Sequence, residues 1–336
     1  MSFPLAEWID SHAECHHNLG RSGMLGAVRH PLPTPAEVRD AEPELLQREL
    51  ANSLHVAPDR VFLTHGATEA NAWVALYLGR SPLGAGRRVR VCFPEYPPLV
   101  DIFRWAGFST TVAPGSAAAA VISRPRNPEG ILWSSDRLHE WVRGARAVVV
   151  DETFREFAGV PSVAARGERG WWATGSFTKF YAADDLRVGF VVAPEEEAAA
   201  FGRFHGLASD LVSPYSIAGA RAALRDQERM RREIRAIVDR NVARWQRSVG
   251  GPVPVAPIAF DRSGENGDSL ARRCLKASVL VCPGSLFGDP SGVRVCLTRR
   301  GFPSDLRAYL AVRGKAAENG RPSAGRPRRS ARLRRG

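Results

Sequence analysis

Trp172-Ala173-Thr174-Gly175-Ser176 is a short run, apolar on both parities, that leads through Phe177 and Thr178 into Lys179, with Arg187-Val188-Gly189-Phe190 beginning eight residues past the lysine. Such a run reads as a strand buried on both faces. Taken alone, a lysine at the mouth of a buried strand is either an ordinary surface lysine or one desolvated enough for its amine to act as a nucleophile forming a Schiff base. Ser176 and Arg187 are spaced to reach one phosphate, the guanidinium through two parallel hydrogen bonds.

Outward from this stretch the pattern recurs. Val61–Leu63, Val89–Phe93, Ala119–Ser123, Ala147–Val150 and Val188–Val192 read as further buried strands. Between them lie helices at Glu69–Leu78, Ser135–Arg143 (with Ser134 as N-cap) and Glu195–Phe204. Strands alternating with helices predict an α/β fold with a mostly parallel, doubly wound sheet. Ser216–Ser248 is long, Arg-rich and free of proline, and Ile234, Val238, Val242 and Trp245 fall on one stripe. It reads as one or two helices leaving the sheet for a smaller α+β unit built from Val253–Phe260, Asp268–Ala277, Ser278–Val281 and Val293–Leu297. The expected division is an N-terminal helix (Leu5–His16) and Pro-rich arm over 1–40, packed on the small domain or on a partner subunit. A large domain over 41–245, a small domain over 246–312 and a basic tail over 313–336 follow.

A hydrophobic share of 44% with 24% charged residues excludes wholesale disorder and fibrous classes. No apolar run is long enough to span a membrane, and Met1-Ser2-Phe3-Pro4 lacks a secretory layout. Five irregularly spaced cysteines make no disulfide framework, which points to a reducing cytoplasm. The net charge of +12 suggests nucleic acid until it is located: residues 313–336 hold nine Lys and Arg against Glu318 alone. That segment reads as a disordered, solvated extension with at most a weak electrostatic attraction for nucleic acid. His12, Cys15 and His16 share one face of the predicted first helix, but no fourth zinc ligand accompanies them, so they read as a solvated or capping cluster and no metal is expected.

Open parallel sheets place ligands beyond the carboxyl ends of their strands, and several strand-end loops here are polar. Thr64-His65-Gly66-Ala67-Thr68 enters a helix; the turn either uses Gly and Thr for backbone reasons alone or, with its free N–H groups, the helix dipole and the Thr68 hydroxyl, forms an anion site. Asp151 ends a buried strand, where a carboxylate is costly unless partnered; a protonated heterocyclic nitrogen or an arginine of the chain would serve. Asn127, in Asn127-Pro128, either marks a turn or donates its amide to a phenolate oxygen.

The ordered set GATEAN (66–71), PEYPP (94–98), NPEG (127–130), DETF (151–154), SFTK (176–179), LRVGF (186–190), PGSLFG (283–288) and VRVCL (293–297) resembles the fold-type-I pyridoxal-phosphate enzymes. Within them it is similar to class I/II aminotransferases of the histidinol-phosphate-aminotransferase-like branch. The resemblance implies the pyridoxal-phosphate-dependent transferase fold, with pyridoxal 5'-phosphate as cofactor. It implies that Lys179 carries the cofactor as a Schiff base and later shuttles a proton, and that Asp151 pairs with the pyridine N–H. Asn127 would meet the 3' oxygen, Tyr96 would stack on the ring, and Gly66, Ala67, Thr68, Ser176 and Arg187 would hold the phosphate. Arg294 would grip the substrate α-carboxylate; Asn18 and Arg21, on the arm, are candidate substrate contacts.

Two positions depart from the family pattern. Phe154 replaces a tyrosine that touches the 3' oxygen, and Asp185 replaces a glycine two residues before the phosphate arginine. The reading that follows is an aminotransferase exchanging an amino group between an amino acid and a 2-oxo acid, as a homodimer with its site at the subunit interface. The alternatives are a decarboxylase or lyase of the threonine-phosphate-decarboxylase kind, and a catalytically idle cofactor-binding protein.

Overall fold

In the computed structural model, which describes residues 3–207, 209 and 212–319, twelve strands occur among the described residues. They are β1 (His17–Asn18), β2 (Val61–Thr64), β3 (Arg88–Val91), β4 (Ser109–Thr111), β5 (Ala117–Ser123), β6 (Ala145–Asp151), β7 (Trp171–Ser176), β8 (Gly189–Val192), β9 (Ile258–Asp261), β10 (Val279–Leu280), β11 (Cys282–Pro283) and β12 (Val293–Cys296). Seven form one sheet in the order β2-β8-β7-β6-β5-β3-β4. It is parallel from β7 through β4, and β8 runs antiparallel to both its neighbours.

The double parity of apolar residues explains why both faces are covered. Ala120, Ile122, Val148, Val150, Trp171 and Ala173 point to one side, where Leu46, Leu50 and Leu54 of helix Pro43–Leu54 and Ile217, Ala220 and Ala223 of helix Pro214–Arg225 meet them. Ala119, Val121, Ala147, Val149 and Trp172 point to the other, against helices Ala67–Arg80, Pro97–Trp105 and Glu195–Gly206. Successive strand residues face opposite sides, so a strand apolar at every position needs two helical layers.

The smaller unit holds an antiparallel sheet β11-β12-β9 and the parallel pair β1-β10, with helices Gly267–Lys276 and Phe302–Asn319 against them. The N-terminal arm ties the two sheets together. β1 pairs with β10, and Leu19 C=O accepts from Cys296 N at 2.8 Å. A few residues on, Met24 N donates to Lys179 C=O at 3.1 Å, and Met24 and Val28 enter the large core.

Several elements differ from the sequence expectations. The first helix is Pro4–Asp10 and ends at Ser11, so His12, Cys15 and His16 do not share a helical face. His12 Nδ1 instead lies 2.7 Å from Trp8 C=O, and among the described residues no three His, Cys, Asp or Glu side chains gather as a metal site. Val253–Phe260 contracts to β9, because Pro252, Pro254 and Pro257 lack the N–H a ladder needs. Ser216–Ser248 resolves into two helices, Pro214–Arg225 and Gln227–Ser248, broken at Asp226. Helices Pro43–Leu54 and Pro97–Trp105 and the polar edge strand β4 went unread. The last helix continues to Asn319, into the segment read as a tail. There Arg313 Nε bonds Asp261 Oδ2 at 2.6 Å; residues 320–336 lie outside the described residues.

Gly189 opens β8 directly under the turn into helix Ala67–Arg80. A Cβ there would lie 2.4 Å from the Gly66 carbonyl carbon and 2.8 Å from Ala67 N, both backbone atoms that cannot swing aside. Gly189→Ala should therefore lower unfolding free energy by about 1–3 kcal/mol through overpacking. An unchanged denaturant midpoint would show that the turn yields freely.

Candidate active site

The carboxyl ends of β5, β6 and β7 open into a cavity of about 480 Å³ between the large and small sheets, within the range of small-molecule sites. Ala67, Thr68, Tyr96, Asn127, Asp151, Phe154, Ser176, Lys179, Arg187, Arg294 and Arg21 all line it. Two predicted residues do not. Gly66 sits just behind the lining as the N-cap of helix Ala67–Arg80, at φ 110°. Asn18 lies on β1, and its Oδ1 accepts from Gly20 N at 3.2 Å and Arg21 N at 3.3 Å, so it shapes the arm.

One end of the cavity is built for an anion. No side chain caps helix Ala67–Arg80, which leaves its first N–H groups for a ligand. Arg187 packs over this turn: its Nη2 reaches His65 C=O at 3.4 Å, and a Cβ on Gly66 would lie 3.0 Å from the same nitrogen. Arg187 itself sits at φ 50°, a strained backbone of the kind found where a functional side chain must be aimed. Ser176 Oγ and Thr178 Oγ1 are 2.8 Å apart alongside.

At the centre, Asp151 is buried and has no ion-pair partner among the described residues. Its Oδ2 accepts from Asn71 Nδ2 at 3.0 Å and its Oδ1 from Thr153 N at 2.9 Å, while Thr174 Oγ1 holds Asn71 Oδ1 at 2.7 Å. Asn71 closes the GATEAN motif, and its place one helical turn into helix Ala67–Arg80 is the sequence signal for this supporting position. Asn127 N donates to Ser123 Oγ at 3.0 Å. Ser123 is held in turn by Glu95, which also forms a fully buried pair with Arg126 at 2.5 Å. Glu95, inside PEYPP, thereby positions both Asn127 and Tyr96, whose backbone N–H it accepts at 2.7 Å.

At the small-domain end, Arg294 is 2% exposed and likewise has no carboxylate partner. Its Nη2 donates to Gly20 C=O at 2.9 Å, its Nη1 to Asn127 Oδ1 at 3.3 Å, and its plane lies over the Phe287 ring. With the Asn127 carbonyl engaged, the amide NH2 is the donor left for a ligand. Phe154 packs against Ala256, Ile258 and Cys296, an apolar wall that suits a ring without a hydroxyl. Asp185 turns away from the anion site, its carboxylate 3.0 Å from His30 Nε2. The neighbouring Asp184 faces the cavity instead.

Lys179 is half-buried, and its amine has no hydrogen-bond or ion-pair partner among the described residues. Desolvation pushes its pKa down; Arg294 and Arg187 add to this, and Asp184 and Cys296 oppose it. Burial likewise pushes the Tyr96 phenol up, with the Asp151 charge acting in the same direction.

These residues fit pyridoxal 5'-phosphate. An anion cradle, a free amine and a buried carboxylate in need of a cation face one cavity, matching a phosphate, an aldehyde and a ring N–H.

Residues 31–301 match the family described as aminotransferase class I and II. The chain belongs to that family of enzymes, whose cofactor is pyridoxal 5'-phosphate. It is 27% identical over 284 residues to the histidinol-phosphate aminotransferase of Haloarcula marismortui, covering 75% of each chain. It is 30% identical over 147 residues to a threonine-phosphate decarboxylase of Sinorhizobium sp, covering 40% of this chain and 42% of that one. Its fold is similar to that of a PLP-dependent aminotransferase from Streptococcus suis, with a TM-score of 0.76 at 17% identity over 96% of this chain and all of that one.

The depressed lysine pKa has two consequences for the cofactor-free protein. Amine-directed labelling of Lys179, followed by peptide mass spectrometry, should show a pH midpoint below the ordinary 10.5. Between that lowered value and 10.5 the unfolded chain binds more protons, so stability should rise with pH across the window. A midpoint at or above the ordinary value would contradict the desolvated setting.

Proposed function

We propose that this enzyme moves an amino group between an amino acid and a 2-oxo acid, each binding in turn beside Lys179. The observation that carries the reading is Arg294: a buried guanidinium without a carboxylate partner among the described residues, facing the cavity that holds the lysine. A substrate α-carboxylate supplies that counter-charge through charge-assisted hydrogen bonds. Pyridoxal 5'-phosphate, when bound, supplies an aldehyde that condenses with amines and a protonated ring that takes up the electron pair left when a bond at Cα breaks.

The side chains then divide the work. Ala67, Thr68, Ser176 and Arg187 bind the phosphate, and Gly66 lets the guanidinium close over it. Asp151, oriented by Asn71, keeps the ring nitrogen protonated. Asn127 donates to the 3' oxygen, and Tyr96 covers the ring. Arg294 fixes the carboxylate so that the Cα–H bond is the one aimed for cleavage. Lys179 Nζ, partly desolvated, takes the Cα proton as a base and returns it on the far side of the exchange. We place the working enzyme as a homodimer in the cytoplasm. Among the described residues no helix is long and apolar enough to cross a membrane.

Decarboxylation is the second reading, favoured by the threonine-phosphate decarboxylase relative and by Phe154, which removes a phenol near the 3' oxygen. Adding an amino acid without acceptor should bleach the cofactor band and yield the 2-oxo acid in one turnover. Release of carbon dioxide in its place would select the second reading.

The chain has three lysines, Lys179, Lys276 and Lys315, so covalent trapping can be read cleanly. Borohydride treatment of cofactor-loaded protein should leave a pyridoxyl group on the Lys179 peptide. Lys179→Ala should abolish turnover while the cofactor still binds noncovalently; undiminished turnover would refute the assignment.

A further inference from the structure

Asp184 remains in the cavity with no task assigned to it. The other charges there have tasks under the proposed function: Asp10 pairs with Arg21 at 3.5 Å, Asp151 serves the ring nitrogen, Lys179 (whose amine feels the Asp184 charge) the cofactor aldehyde, Arg187 the phosphate and Arg294 the substrate carboxylate. Asp184 has no hydrogen bond or ion pair among the described residues. Its place is set by the backbone, because adjacent residues on this turn point opposite ways. Asp185 points outward to His30 and Asp184 inward. A Cβ built on Gly23 would lie 3.1 Å from Asp184 Oδ2 and 3.8 Å from Lys179 Cδ, so carboxylate and lysine stem flank the same point on the arm. Asp184 is half-buried, and Leu5, Ile9 and Leu25 supply apolar wall to the same cavity.

We infer that Asp184 selects an amino donor whose side chain carries a cation, an ammonium or a guanidinium. The inference rests on the proposed function and names its substrate class. Once the cofactor engages the Lys179 amine, a cationic side chain gives Asp184 a charge partner, as the donor's α-carboxylate does for Arg294. The two anchors then hold opposite ends of one molecule across the cavity, with its Cα at Lys179. A neutral side chain of equal length would give the half-buried carboxylate no charge partner, and a site that pairs a substrate's polar group discriminates against the analogue lacking it.

The test uses the cofactor-loaded enzyme with L-lysine and L-arginine against their neutral counterparts L-norleucine and L-citrulline. Single-turnover kcat/KM should favour the cationic member of each pair at least tenfold in the native chain. Asp184→Asn should bring the ratio close to one, and Asp184→Glu should retain part of it, with folding of both variants checked by circular dichroism. A native ratio near one would overturn the inference. So would an equal loss for all donors in Asp184→Asn, which would make the carboxylate a plain counter-charge for Lys179. If no donor is transaminated, the function reading fails by itself, and equilibrium binding decides the inference. Tighter binding of L-lysine than L-norleucine, lost in Asp184→Asn, supports it; equal binding overturns it.

Discussion

Two buried charges without counter-ions among the described residues govern this molecule. Asp151 and Arg294 each sit in a protein interior that penalises an isolated charge heavily, and each is kept there by neutral hydrogen bonds from its surroundings. Neutral donors and acceptors orient such groups without cancelling their charge. The residual field therefore points into the cavity, where ligands of opposite sign complete it. Asn71, Thr174 and Glu95, from behind the cavity lining, and Ser123, on it, hold these groups and Asn127 in place. Preorganised charge of this sort needs no rearrangement when the reaction develops charge of its own.

The lysine is tuned by the same arrangement. Lys179 sits among two guanidinium groups and two opposing groups, Asp184 and Cys296, in a site that strips its water, and desolvation prevails to lower its proton affinity. An amine intended as a nucleophile and a base gains from that, because more of it is unprotonated near neutral pH. Asp184 pulls the other way, so its position is a compromise between the lysine and whatever else it meets. A carboxylate retained in such a place has a cost to chemistry that substrate recognition can offset.

The two departures from the family pattern come out differently. Asp185 is harmless to the anion site, since it leaves the cavity for His30. Phe154 is not neutral. It closes an apolar contact with Ala256, Ile258 and Cys296 of the smaller unit.

The large sheet was legible in the chain because apolar residues on both parities of Ala119–Ser123, Ala147–Val150 and Trp172–Ser176 admit no arrangement except burial between two layers. Lys179, Asp151, Asn127 and the turn at Gly66 were legible as well, since each stands at the end of such a strand, where a parallel sheet puts its ligands. Nothing local marked the rest. Pro97–Trp105 begins with two prolines, and β4 is three polar residues; both take shape from the sheet edge they cover. Which of Asp184 and Asp185 enters the cavity depends on a backbone turn set by contacts distant in sequence. The same holds for Asn18, whose side chain is claimed by its own arm, and for Arg313, which a helix carries back to Asp261. Strand composition is a local property and fixes burial; side-chain direction at loops is decided only when remote segments pack against them.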